Sequence, residues 1–503
     1  MNAARLLKDS SLYTAGNIAN RAVGFLMIPV YTFFLTPGDY GLIELTDLFL
    51  IVTATVIGIG AIGDAMVRTY YDHNDVDEQA AVVSTALLLT VAGSGAVAVA
   101  AWSLAEPLSL LLFQEAGYAW FIRVAFAAMV FANFIEVVLV YQRVRGRALL
   151  FVGYSLIQLS LTLGLNIYLI AFAGFGVWGF LISKLIATAA GSVFWLWRLR
   201  REIPWRWRST AARAMAKFGA PLIPAGLAFF TIHFSSQFFL NYAVGLADVG
   251  IYALAYKFGV LVTFLVGEPF ARVWDVRLYA YTAEPRWREQ FMRVFLYLAF
   301  SLISVGLAVA LTVDEIVAVI AEPSFHPAAV LVPMIACAFV FREVGDFFRA
   351  SIYIDKKSAL VGKIALACAA INVALNYVLI GRYGVQGAAA SLFLTWAAYL
   401  ALCWTFAARA HRFSVPWRPL LVMASSASAV YVASASIPVD SWSGQALTDA
   451  ALIGAFVVAT FFACFPRRER HALATSLREI VRRTRTGGSV DGYAARAPVD
   501  SRE

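Results

Sequence analysis

Long apolar stretches, separated by short polar and basic segments, dominate the chain. A helix that crosses the hydrocarbon core of a bilayer needs about 20 mostly apolar residues. Fourteen stretches meet this requirement, and they lie near 11–34, 41–66, 80–102, 118–141, 149–172, 176–197, 216–240, 249–271, 290–312, 328–349, 358–381, 385–408, 418–436 and 447–465. The pattern therefore predicts an all-α polytopic membrane protein with about fourteen transmembrane helices.

The composition excludes a soluble multidomain enzyme. Of the 503 residues, 61% are hydrophobic and only 14% are charged, whereas soluble domains carry about 25% charged residues. So few charges cannot cover the surface of a soluble chain of this length. The cysteines all fall inside apolar runs, so we expect no disulfide framework, metal site or cofactor; they are Cys337, Cys368, Cys403 and Cys464.

The basic residues are distributed unevenly between the two sides of the predicted membrane. If the N-terminus lies inside and the helices alternate, all but six of the 40 Lys and Arg residues fall in inner segments. The positive-inside rule then predicts that both termini are cytoplasmic. We expect a multi-pass protein of the cell inner membrane, and the net charge of +9 reflects this topology rather than a nucleic-acid partner.

Four short motifs recur about 209 residues apart, at equivalent helix ends. They pair 151–153 with 360–362, 176–179 with 384–387, 165–166 with 375–376, and 39–41 with 248–250. This spacing predicts two parallel six-helix repeats and two extra C-terminal helices. The predicted domains are an N-terminal bundle 1–197, a basic cytoplasmic linker 198–217, a C-terminal bundle 218–408, helices thirteen and fourteen in 409–466, and a basic tail 467–503 that is first amphipathic and then disordered.

Two stretches resemble a known family. One covers 20–25, 28–31 and 35–41, and the other covers 218–224 and 249–257. The chain resembles the polysaccharide repeat-unit (Wzx-like) flippases of the multidrug/oligosaccharidyl-lipid/polysaccharide exporter superfamily. It departs from that family late in helix seven, where an Asp-Arg pair is common and this chain has Ser235-Ser236-Gln237-Phe238. An ionic role at that point is therefore in doubt.

The resemblance implies a function and its partners. The expected substrate is an undecaprenyl-pyrophosphate-linked oligosaccharide, moved across the inner membrane for O-antigen or exopolysaccharide biosynthesis. The two halves would form a V and work by alternating access. Expected partners are this substrate, membrane lipids and a polysaccharide polymerase, with no nucleic acid.

Basic residues inside predicted helices are the candidates for substrate binding. A charge at mid-bilayer costs about 2.5–3.5 kcal/mol, so such groups usually face a polar cavity or a partner. Arginine and lysine donors can replace the water around a diphosphate. The candidates are Arg21 with its neighbours Asn17 and Asn20, Lys184, Lys257 and Arg342.

Each cation also has a structural explanation. Arg21 can pair with Asp64 or Glu44, and Lys184 and Lys257 can extend to the headgroups. Arg342 can form an i,i+4 salt bridge with Asp346, which the sequence slightly favours over phosphate contact.

The acids Glu44, Asp47 and Asp346 are candidates for coupling transport to an ion. Glu44 and Asp47 share a helix face, and could bind Na⁺ or take up protons. The competing interpretation, which we slightly prefer from sequence, is that these two acids stabilise the start of their helix.

Competing functions differ in what the sequence must contain. A cation-coupled multidrug exporter of the same superfamily predicts a more acidic cavity. A membrane enzyme, such as a glycan polymerase, usually needs a long outer loop that carries catalytic groups, and the outer loops here are short. The sequence contains no P-loop, so ATP hydrolysis is not expected. We therefore predict a transporter rather than an enzyme.

Overall fold

The computed structural model describes residues 24–281, 286–437 and 442–466, and the regular elements within those ranges are all helices. Eleven of the described helices are long and apolar enough to cross a membrane, or twelve if one bent pair forms a single span. The predicted all-α polytopic fold is confirmed. The count of fourteen stays a prediction, because most of the first predicted stretch lies outside the described residues.

The helices before residue 200 follow the predicted stretches with small shifts at their ends. They are α1 (Gly24–Phe34), α2 (Pro37–Val56), α3 (Ile59–Tyr71), α4 (Val76–Ser103), α5 (Ala105–Phe113), α6 (Ala119–Val144), α7 (Ala148–Ile167) and α8 (Val177–Leu199). A 3₁₀ turn, Ala116–Tyr118, leads into α6, and a π-helical turn, Tyr168–Phe172, extends α7.

The second part of the chain has longer and more interrupted helices. They are α9 (Ser209–Gly219), α10 (Ile223–Ala243), α11 (Leu246–Gly259), α12 (Glu268–Tyr281), α13 (Trp287–Ile320), α14 (Val332–Ile354), α15 (Ser358–His411), α16 (Trp417–Ser436) and α17 (Trp442–Cys464). A π-helical turn, Thr263–Gly267, precedes α12, and a 3₁₀ segment, Pro323–Leu331, precedes α14.

The second predicted span consists of two helices: Thr36 caps the first, and Gly58 marks the break between them. Thr36 caps the start of α2: its hydroxyl accepts the Asp39 N–H at 3.2 Å, and the Asp39 carboxylate accepts the Thr36 N–H at 3.1 Å. The helix ends where Gly58 takes a left-handed φ of 75°, and α3 continues at 43° to α2. A hydropathy average does not register a break of one residue, so the sequence predicted one straight helix over 41–66.

Two glycines of the predicted repeat have the same unusual backbone. Gly176 has φ 54° and ψ −133°, and Gly384 has φ 54° and ψ −129°. Residues with a side chain rarely adopt this conformation. Gly384 divides the long α15 at the boundary between the predicted stretches 358–381 and 385–408.

The helices α2 and α11 approach each other at another pair of repeat-related glycines. A Cβ at Gly41 would collide with the Leu246 carbonyl oxygen, and a Cβ at Gly250 would collide with the Pro37 carbonyl oxygen. Both Gly41 with Gly250 and Pro37 with Leu246 are 209 residues apart. These reciprocal contacts agree with two parallel repeats, although the repeat itself remains a prediction.

The chain divides into two compact units. Within the described ranges, the larger unit ends at Ser414 and the smaller begins at Val415. In the smaller unit, the described helices α16 and α17 are joined by a hydrogen bond from the Ser434 hydroxyl to the buried Asp449 carboxylate, at 2.5 Å. The predicted amphipathic and disordered tail, 467–503, lies outside the described residues.

Candidate functional site

The two lysines singled out in the sequence pair with the two acids of α2. The Lys184 ammonium, on α8, lies 2.5 Å from the Asp47 carboxylate. The Lys257 ammonium, on α11, lies 3.4 Å from the Glu44 carboxylate. Because Glu44 and Asp47 are three residues apart on one helix, both pairs lie on one side of α2. The structure thus brings four of the predicted site residues together.

A tyrosine completes the surroundings of Lys257. The Lys257 ammonium donates a hydrogen bond of 2.6 Å to the Tyr40 hydroxyl, and it also lies 4.8 Å from the centre of the Tyr40 ring. The Tyr40 side chain is buried, and its ring lies 6.2 Å from that of Tyr31. The ammonium is thus held by a carboxylate, a hydroxyl and a ring face, which offset the cost of placing it in a membrane helix.

The helix-start explanation for Glu44 and Asp47 is wrong. The start of α2 is stabilised by Thr36 and Asp39, and the first helical residue is Pro37. Glu44 and Asp47 therefore lie beyond the first turn, where the effect of the helix dipole has fallen off. Their carboxylates serve the lysine pairs instead.

A cavity of about 390 Å³ opens beside the Lys184 pair. It is lined by residues of α2, α3, α6 and α8, and its ionisable groups are Asp47, Glu136 and Lys184. Asn133 also lines it, and the side-chain N–H₂ of Asn133 is buried with no hydrogen-bond partner in the described part of the chain. This cavity holds two carboxyl groups and one cation, whereas the binding of a diphosphate favours cations and amides.

Arg342 on α14 lies in a second charged cluster. Its guanidinium lies 3.1 Å from the Glu343 carboxylate and 3.8 Å from the Asp346 carboxylate. It also donates a hydrogen bond of 3.2 Å to the Thr263 hydroxyl, in the π-helical turn before α12. The i,i+4 contact expected from the sequence is thus present, and two acids compensate the Arg342 charge in this conformation.

Asp346 has further partners around a cavity of about 170 Å³. Its carboxylate lies 3.2 Å from the Arg349 guanidinium and accepts a hydrogen bond of 2.7 Å from the Tyr399 hydroxyl on α15. Arg342, Glu343, Asp346 and Arg349 all line this cavity. Glu268 also lines the cavity, so its lining combines two cations with three carboxylates.

A neutral hydrogen-bond network occupies the position of the family's Asp-Arg pair. The Ser235 hydroxyl on α10 donates to Asn372 on α15 at 2.8 Å, and the Asn376 amide donates back to Ser235 at 2.9 Å. Ser236 donates to Asn376 at 3.0 Å, and Asn372 donates to Thr395 at 3.0 Å. These uncharged groups satisfy one another and join α10 to α15, so the departure from the family pattern leaves no unpaired charge among them.

Three of the predicted binding residues, Arg21, Asn17 and Asn20, lie outside the described residues and remain predictions. Sequence reasoning gave no role to Glu136, Tyr40 or Asp449. An acid inside an apolar stretch is a usable signal, and Glu136 and Asp449 both carry it. Tyr40 carries no such signal, because an aromatic residue near a helix start is typical of a membrane interface.

An ion-pair cluster also orders the connection after α8. The Glu202 carboxylate lies 2.7 Å from the Arg147 guanidinium and pairs with Arg198 as well. Burial alone would raise the pKa of Glu202, but hydrogen bonds and charge from the two arginines outweigh it, and the pKa is lowered. Glu202 therefore stays ionised at neutral pH and ties this segment to the start of α7.

The long apolar helices and the paired intramembrane charges define a multi-pass membrane protein. The chain belongs to the polysaccharide biosynthesis protein family, whose family model matches residues 30–330. This agrees with the resemblance drawn from the sequence motifs.

Solved structures share the fold at low sequence identity. The lipid II flippase MurJ, in an inward closed conformation, has a TM-score of 0.72 and 12% identity, with 90% of this chain and 99% of that chain covered. An inward-facing multidrug resistance MATE family transporter of the MOP superfamily has a TM-score of 0.61 and 15% identity, with coverages of 77% and 93%. A MATE structure in complex with MaD3S has a TM-score of 0.56 and 14% identity, with coverages of 80% and 94%. No curated protein matches the sequence.

Proposed function

We propose that the chain moves undecaprenyl-pyrophosphate-linked oligosaccharide repeat units across the inner membrane for cell-surface polysaccharide biosynthesis. The observation that supports this most strongly is the polysaccharide biosynthesis family match over residues 30–330, on a fold shared with a lipid II flippase. The substrate class follows from that combination: a lipid tail that stays in the bilayer and a hydrated headgroup that must cross it. Both termini would be cytoplasmic, and a polymerase would receive the product.

The charge pairs suggest how a headgroup is bound and released. A diphosphate competes with Asp47 and Glu44 for the ammonium groups of Lys184 and Lys257, which lie 2.5 Å and 3.4 Å from those carboxylates. Uptake of a proton or Na⁺ by a carboxylate would free its lysine for substrate. Substrate and coupling ion would thereby bind cooperatively, and a gradient of that ion would bias the equilibrium between the two access states.

In the other half, Arg342 and Asp346 would act in the same way. The Arg342 guanidinium is compensated by Glu343 and Asp346, so an approaching diphosphate would exchange with a carboxylate. Asp346 would then be available as a coupling acid. This proposal assigns substrate binding to the cations and ion coupling to Glu44, Asp47 and Asp346.

Arg21, with Asn17 and Asn20, completes the proposed binding set. A guanidinium within an apolar helix can grip a phosphate with two donors. We expect Arg21→Ala to abolish export of surface glycan while the protein still inserts in the membrane, as measured by glycan staining and membrane fractionation. Normal export by this variant would remove Arg21 from the mechanism.

A second candidate function is a cation-coupled multidrug exporter. It is favoured by the cavity beside Lys184, whose lining contains Asp47 and Glu136 as well as the lysine. A deletion strain separates the two functions. Lipid-linked oligosaccharide trapped in the inner leaflet, with unchanged drug sensitivity, is expected for the flippase. Altered drug sensitivity with normal surface glycan would favour the exporter.

A further inference from the structure

A guanidinium and an indole line a shallow groove between α4 and α6. The groove has a volume of about 290 Å³ and is lined by Ala98, Val99, Trp102, Ser103, Arg123 and Ala127. Most of this lining is apolar, with one hydroxyl and one guanidinium. The groove therefore resembles a slot for a hydrocarbon chain with a single cationic group at its edge.

Aromatic rings hold the Arg123 side chain in place. The guanidinium lies 4.7 Å from the Trp120 ring centre and 5.8 Å from that of Trp102. The two indoles meet edge to face, with ring centres 5.8 Å apart. The Arg123 Nε–H donates to the Trp102 carbonyl at 3.3 Å, which fixes the plane of the guanidinium and leaves its terminal nitrogens available.

Arg123 differs from the three described candidate cations of the substrate site in having no acid beside it. Lys184, Lys257 and Arg342 each lie within 4 Å of a carboxylate. Within the described ranges, no carboxylate lies within salt-bridge distance of Arg123, and the lining of its groove contains no acid. A cation in a membrane helix without a protein counter-ion favours an anion supplied by the surroundings.

The helix lengths indicate that the groove lies near the depth of lipid headgroups. Arg123 is four residues from the start of α6 at Ala119, or about 6 Å along the helix. Trp102 is one residue from the end of α4, whose 28 residues extend about 42 Å, well beyond the hydrocarbon thickness of about 30 Å. The exposed side chains beside the guanidinium, Val99 at 70%, Trp102 at 50% and Trp120 at 57%, would face acyl chains and headgroups.

We propose that the α4–α6 groove binds an anionic phospholipid, with the lipid phosphate on the Arg123 guanidinium and one acyl chain along Ala98, Val99 and Ala127. The charge complementarity commits the site to a lipid phosphate: a guanidinium can hold two phosphate oxygens at once, and indoles are favoured at the membrane interface. The proposal is independent of the transported substrate. It assigns a structural lipid to the outside of the bundle.

Native mass spectrometry of the purified full chain tests this site. The protein is kept in micelles that contain equimolar dioleoyl-phosphatidylglycerol and dioleoyl-phosphatidylcholine, and the bound lipids are counted. Wild-type protein is expected to retain phosphatidylglycerol preferentially. Arg123→Gln should lower that preference about fivefold. The matched control is Arg382→Gln, which removes an exposed guanidinium elsewhere and should leave the preference unchanged.

A second variant tests the shape of the groove separately from the charge of Arg123. Ala127→Leu fills the slot and keeps Arg123, so it should lower retention of both lipids; it also tests the groove if Arg123→Gln fails to fold. Equal retention of the two lipids by wild-type protein would overturn the proposal, as would wild-type retention in Ala127→Leu. Displacement of phosphatidylglycerol by equimolar undecaprenyl phosphate would assign the groove to an isoprenoid lipid instead.

Discussion

Lys184 and Asp47 form an ion pair at the edge of the larger cavity, with their charged groups 2.5 Å apart. Variants of this pair distinguish two roles for Lys184, as a counter-ion and as a substrate-binding residue. If Lys184 only compensates Asp47, removing both charges should restore translocation that is measured without an imposed ion gradient, since that translocation needs no coupling acid. If it binds the diphosphate, removing both should not.

We expect Lys184→Met to lower transport at least about tenfold, since a lost charged hydrogen bond costs about 1.5–3 kcal/mol, and we expect Lys184→Met/Asp47→Leu to stay equally low. Translocation of lipid-linked oligosaccharide in proteoliposomes measures both. Recovery in the double variant would show that Lys184 serves only as a counter-ion.

Glu202 gives a pH-dependent prediction outside the membrane. Its pKa in the folded protein lies below the ordinary value of 4.5, because charge and hydrogen bonds from Arg147 and Arg198 outweigh burial. A lowered folded-state pKa stabilises the fold above the unfolded-state value, and that stabilisation is lost as pH falls through the folded-state value. We expect Glu202→Gln to reduce the free energy of unfolding by about 1 kcal/mol at pH 7.

Thermal unfolding between pH 3 and pH 7 measures this effect. The difference between wild-type protein and Glu202→Gln should narrow as pH falls below about 4.5, because the unfolded-state carboxylate takes up a proton there while the native carboxylate, with its lowered pKa, is still ionised. A difference that stays constant over the whole range would contradict the assigned role of the Arg147 and Arg198 contacts.

At the scale of whole helices, the close approach of α2 and α11 requires a glycine at position 250. A Cβ at Gly250 would collide with the Pro37 carbonyl oxygen, and a backbone atom cannot move aside as a side chain can. We expect Gly250→Ala to lower the free energy of unfolding by about 1–3 kcal/mol, as overpacking does.

Gly153 provides the matched control. It lies inside α7 with no atom within 4 Å of a Cβ built there. Gly153→Ala should therefore be neutral or stabilise the helix by up to about 1 kcal/mol. Thermal unfolding in detergent compares the two variants, and equal effects would mean that the α2–α11 approach does not depend on Gly250.

The sequence predicted helices well because spanning a bilayer demands a long apolar run, which is a local property. A boundary set by a single residue was missed at Gly58, which bends the second span, whereas the break at Gly384 falls between the predicted stretches 358–381 and 385–408. Partners were missed for a different reason. Lys184 and Asp47 lie 137 residues apart, and only the packing of α8 against α2 decides which acid meets which base.

At the scale of the whole molecule, we propose that a lipid-linked headgroup crosses the bilayer by way of paired charges. The fold is shared, at low sequence identity, with a lipid II flippase and a MATE family transporter. The sequence could predict this class from residues 20–41 and 218–257, where the family resemblance is concentrated. The sequence predicted the Arg342–Asp346 contact, but it could not predict that Lys184 and Lys257 are compensated by Asp47 and Glu44.

The most direct test measures translocation by the purified chain. Proteoliposomes are prepared with an undecaprenyl-pyrophosphate-linked oligosaccharide, and the fraction accessible to an external glycosidase is followed over time. The account predicts a protein-dependent rise in the accessible fraction that Lys184→Met largely removes. An accessible fraction that is the same with and without the protein, under an imposed H⁺ or Na⁺ gradient, would contradict it.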